Sequence, residues 1–186
     1  MEIKFKTVKD SQITISKLML PSYSNFRGKI HGGYILSMLD EIAFACASKF
    51  SGSYCVTASV DTVNFLNSIE IGELVTMKSS VNYAGKSSMV VGIRVTAENI
   101  QNGEIKHCNS SFFTMVAKDS EGKTAEVPGL IISSKIELKR YLKAIRQINQ
   151  RKERLELNKK PIQITLSEIE KELSSHKIKL DMIYDV

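Results

Sequence analysis

Proline and glycine are scarce in this chain, at 3 and 10 of 186 residues, while 42% of positions are hydrophobic and 25% charged. That balance excludes disorder throughout and fits a globular domain with an ordinary core and room for an appendage. Cysteine is scarce too. Cys46, Cys55 and Cys108 are isolated, odd in number and set among apolar neighbours, which reads as buried free thiols in a reducing compartment. None has a cation or histidine beside it in the loop or helix-start setting that activates a thiol. The three histidines, His31, His107 and His176, are scattered, and neither Cys-x-x-Cys nor His-x-x-x-His spacing occurs, so no metal is expected. A long apolar run is missing as well. The first twenty residues disperse charge over MEIKFKTVKD and carry neither signal peptide nor anchor, which makes a cytoplasmic protein the expectation. The most apolar segment spans only about 18 residues and includes an Asp-Glu pair, a poor membrane span. There is no internal repeat and no low-complexity tract.

Charge is present but unevenly placed. The formal net charge is +6; residues 134–186 hold 13 Lys and Arg against 8 Asp and Glu, and residues 1–133 hold 13 against 12. The first part is close to neutral and the extension is basic. A basic extension can contact nucleic acid or a polyanion, but charges spread over a helix more often form a solvated face.

The most informative stretch is NFRGKIHGGYILSMLDE, residues 25–41, where a loop with glycines at 28, 32 and 33 runs into a nearly all-apolar segment. Glycine lets a second molecule lie close to the peptide groups. From Gly33 to Phe50 the sequence has no further glycine or proline and is rich in Leu, Ile, Met and Ala, which predicts a helix. Apolar residues occupy most directions around it, so it should be a central helix covered on nearly all sides. Its polar positions, Ser37, Asp40, Glu41 and Ser48, share one broad face with Asp40 at the edge, half buried. A carboxylate at such an edge suits a general base or nucleophile, yet spacing alone does not choose between Asp40 and Glu41.

After the helix the pattern becomes alternating. YCVTASVDTVNFL, residues 54–66, reads as one long strand, with Val56, Ala58, Val60, Thr62 and Asn64 on one side and Thr57, Ser59, Asp61, Val63 and Phe65 on the other. Further strands are expected at 12–20, 74–83, 88–99 and 107–119, separated by turn signals such as NSIEIGE, YAGKS and ENIQNGE. One lone helix and successive short-turn strands make an α+β pattern: an antiparallel sheet burying one face on the helix while its other face stays polar. Residues 1–133 should form this domain. Residues 134–186 should be a charged helical extension, with a surface helix over 135–157 and, past Pro161, a second short helix from Thr165, where Thr165 and Glu168 have capping-box spacing.

The chain resembles the acyl-CoA thioesterases of the hotdog fold. The resemblance rests on Asn25, Gly28 and His31-Gly32-Gly33, on Met38-Leu39-Asp40-Glu41, on VTASVDTVNFL, on Ile71-Gly72-Glu73, on YAGKSSM from Tyr83, on FFTMVAKD from Phe112 and on Val127-Pro128. It covers roughly residues 10–132 in order and spacing. It implies a long central helix wrapped by the antiparallel sheet, hydrolysis of fatty acyl-CoA to free CoA and acid, and no cofactor, coenzyme A being part of the substrate. Asp40 would be the catalytic carboxylate, as base or nucleophile, and Asn25 would orient water or carbonyl. The N–H groups of Gly32 and Gly33 at the helix start would meet the oxyanion. His31 reads foremost as a residue shaping the turn, with a substrate contact as the alternative. Thr57, Gly85, Lys86, Ser87 and Ser88 would lie toward the CoA moiety, although a plain hairpin uses the same residue types as the last four.

Gly33 and Asp40 are seven residues apart, or about 10 Å along a helix, too far for one carbonyl group to touch both. Two central helices antiparallel across a two-fold axis would bring Asp40 of one subunit toward the glycine turn of the other, so an obligate homodimer with composite sites is expected. The resemblance further implies a trimer of such dimers, with no membrane partner. Two competing functions stand beside hydrolysis: a non-catalytic acyl-CoA sensor whose basic tail contacts DNA, disfavoured by the lack of a helix-turn-helix pattern, and a dehydratase or hydratase, for which His31 is the one candidate base.

Overall fold

The computed structural model describes residues 4–161 together with Leu173, His176 and Lys177. The chain divides into two compact units, Met1–Ile148 and Asn149–Val186. The first opens with a strand β1 (Phe5–Thr7), a single helical turn α1 (Val8–Ser11) and strand β2 (Ile13–Leu18). The central helix α2 covers Gly32–Ser51, followed by β3 (Tyr54–Val60), β4 (Leu74–Ala84), β5 (Ser88–Glu98), β6 (Ile105–Lys118) and β7 (Gly129–Ile131). A final helix α3, Lys135–Lys159, crosses from the first unit into the second. The second short helix expected from Thr165 lies outside the described residues apart from Leu173.

Five strands form one antiparallel sheet in the order β2-β4-β5-β6-β3, and β1 pairs with β7 in a separate parallel ribbon. The α+β expectation holds. Alternation along the strands places Val75, Met77, Val81, Met89, Val91, Ile93, Val95, Phe113 and Met115 on one face, where they form a single buried cluster with Ile35, Leu39, Ile42, Cys46 and Phe50 of α2. The opposite face carries Lys78, Arg94 and Ser110, all exposed. Leu39 and Ile42 are fully buried, and truncating either to Ala would cost about 2–5 kcal/mol.

Local chemistry fixes the ends of α2. His31 is its N-cap, the side chain accepting from the Gly33 N–H, and Gly52 ends it in the left-handed region at φ 74°, with its N–H on the Ser48 carbonyl. At the start of α3, Ser134 Oγ accepts from the Glu137 N–H as an N-cap, and the Glu137 carboxylate accepts from the N–H of Ser133, one residue before the cap.

Two expectations need correction. β3 stops at Val60 rather than Leu66, and its register slips between Thr57 and Ser59, leaving Ala58 as an extra residue. The strict alternation over 56–65 therefore fails, because a β-bulge shifts every later side chain by one position. Beyond Val60 the backbone stays beside β6 through isolated bonds from the Asp61 N–H to the Phe112 carbonyl and from the Leu66 N–H to the Cys108 carbonyl. The second correction concerns α2. Only the side bearing Ile35, Met38, Leu39, Ile42, Ala43, Cys46, Ala47 and Phe50 is buried, while Leu36 and Phe44 are each 39% exposed and Asp40 is exposed rather than half buried. Within one chain the apolar wrap inferred from sequence is incomplete, with Leu36 and Phe44 left partly exposed.

Candidate active site

The loop before α2 is built by Asn25. Its Oδ1 accepts from the N–H groups of Arg27 (2.9 Å) and Lys29 (3.2 Å), and its carbonyl accepts from the Gly28 N–H at 3.0 Å. Gly28 sits at φ +75°, where a side chain would be strained. The Asn25 Nδ2 has no hydrogen-bond partner among the described residues and remains the outward donor of the amide. Isolated bridges Ser24–Ile30 and Lys29–Glu70 pin the loop to the chain before β4. Lys29 Nζ lies 2.5 Å from Glu70 Oε1 and holds that carboxyl below its ordinary pKa.

The glycines that follow allow close approach. A Cβ on Gly32 would lie 3.5 Å from the Phe65 ring, and one on Gly33 would lie 2.9 Å from the His31 ring. The Gly33 N–H is therefore not free, as the oxyanion expectation required: it donates to His31 Nδ1 at 2.9 Å. The Gly32 N–H, first in the helix, has no intrahelical acceptor. His31 shapes the turn.

Two turns along α2, the structure separates the two acids that spacing could not. Glu41 accepts from Ser37 Oγ on the same helix at 3.3 Å. Asp40 reaches the sheet: Thr57 Oγ1 donates to its Oδ1 at 2.5 Å, and the same hydroxyl lies 3.5 Å from Met115 Sδ. Asp40 Oδ2 has no partner among the described residues. The threonine sits immediately before the bulge, where the strand turns its side chains. Nothing in the alternation of residues 54–66 pointed to this bond.

The 85–88 segment is the β4–β5 hairpin, closed by the Gly85 N–H to the Ser88 carbonyl at 2.8 Å. Lys86 is exposed and lies 3.9 Å from Glu126. Ser87 is tied through its carbonyl to the Ala117 N–H. Register relates this hairpin to Asp40's partner: Met89 of β5 and Thr57 of β3 flank Met115 of β6 in one row, so they are about 10 Å apart across two strand spacings. Within one chain the hairpin and Asp40 therefore share one end of the sheet without touching. Asn25 and the glycine turn stand at the start of α2, a full two turns from the carboxylate.

All three thiols are free and buried. Burial pushes Cys46 up to about 11 and raises Cys108, which leaves neither suited to act as a nucleophile. Among the described residues no group of three or more His, Cys, Asp or Glu could hold a metal ion, and no helix is long and apolar enough to cross a membrane.

Residues 27–104 match the family described as the thioesterase superfamily. Protein VdlD of Helicobacter pylori is 37% identical over 145 residues, spanning 78% of this chain and 83% of that protein. An apo-hexameric acyl-CoA thioesterase superimposes with a TM-score of 0.80 at 36% identity, covering 82% of this chain and 98% of the other. The acyl-CoA hydrolase of Staphylococcus aureus, solved with butyryl coenzyme A, coenzyme A and coenzyme A disulfide, gives 0.78 at 32% identity over 83% and 94%. That hydrolase has also been solved as single alanine variants of an asparagine, an aspartate and a threonine, separated by 15 and 17 residues. The chain belongs to the thioesterase superfamily. Its sheet wrapped on a long central helix is the hotdog fold.

Proposed function

We propose that this protein hydrolyses acyl-CoA thioesters to free CoA and a carboxylic acid, with Asp40 as its reacting carboxylate. The observation that carries the reading is the bond from Thr57 to Asp40. It joins the helix acid to the sheet on the exposed side of α2, and it leaves one carboxylate oxygen available. Asn25, Asp40 and Thr57 are separated by the same 15 and 17 residues that separate the three positions varied in the Staphylococcus aureus hydrolase, which supports giving the three a common task.

In the base route, Asp40 Oδ2 takes a proton from water as the water oxygen bonds to the thioester carbonyl carbon. The C–S bond then breaks, and the sulfur leaves with that proton as the CoA thiol. In the nucleophile route, Oδ2 itself bonds to the carbonyl carbon as the C–S bond breaks and CoA leaves as its thiolate; water then cleaves the resulting anhydride, its oxygen going to the acid and its proton to the thiolate, which restores the carboxylate. Asn25 Nδ2 orients the water or carbonyl. The oxyanion is met by the Gly32 N–H, joined by that of Gly33 when the His31 ring turns aside. Lys86 and the hydroxyls of Ser87 and Ser88 meet the CoA phosphates or pantetheine. Water is the only co-reactant, and no cofactor is required.

The site is composite. Leu36 and Phe44 on the open side of α2, with Tyr54 and Val60 on β3, expose 39–63% of their surfaces, and β3 is an edge strand with its outer peptide groups unpaired. A second copy docked there covers both and carries Asp40 toward the partner's glycine turn. Relatives solved as hexamers support three such dimers together. Residues 1–133 constitute the catalytic domain and 134–186 an extension, and the setting is cytoplasmic.

The test is purified protein incubated with palmitoyl-CoA and a thiol-reactive dye. CoA release by wild type and its loss in Asp40→Ala carry the proposal; release undiminished in Asp40→Ala, or none from wild type, would sink it, the latter outcome favouring a non-catalytic acyl-CoA sensor.

A further inference from the structure

The outer face of the sheet, away from α2, holds an arrangement that thioester hydrolysis does not use. Thr14, Lys78, Arg94 and Ser110 lie in one cross-strand row over β2, β4, β5 and β6, which sets Lys78 directly opposite Arg94. Like charges at directly opposed positions destabilise a sheet. No acid among the described residues pairs with either. Both side chains line a cavity of about 400 Å³ whose far wall is α3, and α3 adds Arg140 and Lys143. Four cations therefore surround one cavity with no acid in its lining, and none of the four belongs to an ion pair among the described residues. Glu137, one turn before Arg140, is held by the Ser133 N–H at the helix start.

The floor of the cavity is polar and shaped. Asn82, only 5% exposed, lies so close over Gly92 that a Cβ there would fall 2.0 Å from its Nδ2. Its Oδ1 accepts from Ser80 Oγ at 3.0 Å, which directs the amide donor away from that hydroxyl. Phe112 lies over the same glycine, 3.4 Å from the Cβ position, and presents a ring beside the cations. A solvated basic face would scatter its charges over a convex surface. This one converges them on a concavity with a buried amide, which is the chemistry of a phosphate site.

We propose that this cavity binds a small phosphate-bearing anion of at least two negative charges, at a site on the opposite face of the sheet from Asp40. The basic character of the 134–186 segment then has a local role, since Arg140 and Lys143 close the site. The bound anion removes the repulsion between Lys78 and Arg94, so occupancy should stabilise the fold.

The experiment is calorimetric titration of the full chain with inorganic pyrophosphate and, separately, with ADP, at low and at raised ionic strength, alongside thermal unfolding. Saturable binding that weakens with salt and raises the unfolding temperature is expected. Lys78→Ser with Arg94→Ser should weaken it at least about tenfold, as should Arg140→Gln with Lys143→Gln, while CoA release from palmitoyl-CoA stays at the wild-type rate. Tighter binding of ADP than of pyrophosphate, lost in Phe112→Leu, would assign a nucleotide; equal binding would assign the bare diphosphate. No saturable binding, or binding of equal strength in both double variants, would overturn the proposal. A change of particle size by light scattering in the double variants with no change in anion affinity would also overturn it, by assigning the cations to contact with another copy of the chain.

Discussion

Thr57 Oγ1 and Asp40 Oδ1 lie 2.5 Å apart, the only side-chain hydrogen bond among the described residues by which the α2 carboxylates reach the sheet. The threonine, not the aspartate alone, sets where the carboxylate points. Replacing it with valine keeps the shape and removes the donor. Thr57→Val should lower kcat about 10- to 100-fold with a smaller change in KM, following the worth of a hydrogen bond to a charged group, whereas Asp40→Asn should lower it roughly 10²–10⁴-fold. Steady-state CoA release over a substrate series measures both.

Phe44 occupies the open side of α2 and meets Tyr54 of β3 edge to face, with ring centroids 5.6 Å apart. Phe44→Glu should leave the buried side of the helix intact, turn the assembly into monomers by light scattering, and remove CoA release at the same time. Monomers that hydrolyse palmitoyl-CoA at the wild-type rate would refute the composite site.

His31 supplies the acceptor for the Gly33 N–H. His31→Ala should cost about 1 kcal/mol of stability, which for a chain of this length lowers the unfolding temperature by about 2–4 °C. Gly33→Ala should do the same by displacing the ring. Thermal unfolding followed by circular dichroism reads both changes.

Burial raises the Cys46 thiol from an ordinary value of 9.0 to about 11. Because the value is raised, the folded chain keeps this proton in a range where the unfolded chain has lost it. The contribution is complete below pH 9 and is lost as pH climbs toward 11. Urea unfolding between pH 8 and 11 should show a steeper loss of stability for wild type than for Cys46→Ala, by on the order of 2 kcal/mol across that window. In the native protein at pH 8 the thiol should resist alkylation.

Lys86 projects from the β4–β5 hairpin with 85% of its side chain exposed and a loose 3.9 Å approach to Glu126. Lys86→Ala should raise KM for acyl-CoA about three- to tenfold and leave kcat nearly unchanged, as a surface charge acting on a phosphate would. An unchanged KM would remove that contact.

Much of this architecture was legible in the residue order. The glycine-free apolar run from Tyr34 to Phe50 marked α2 to within a residue or two, since nothing in it interrupts a helix, and alternation marked β4, β5 and β6 nearly to their ends. The bulge at Ala58 was not legible, because an inserted residue leaves the sequence pattern unchanged and shows only against the partner strand. The same limit hid the Lys78–Arg94 juxtaposition: the two are 16 positions apart and meet only through register. The exposed side of α2 was not legible for a different reason. Hydrophobicity of a residue does not say whether its neighbours in the same chain reach it. As for the site, residue types and spacing left Asp40 and Glu41 equal, and the family likeness alone singled out Asn25 and Asp40.

The single surplus residue in β3, Ala58, has a consequence for how this protein can vary. Around it, exposed residues other than Thr57 can be exchanged with modest effect as long as the count from Tyr54 to Val60 is kept. Deleting the surplus residue would straighten the ladder and turn every side chain from Ser59 onward to the other side of the sheet, rebuilding the edge that carries Val60 without touching any group that reacts. Heritable change along this strand is thus free in spelling and fixed in number.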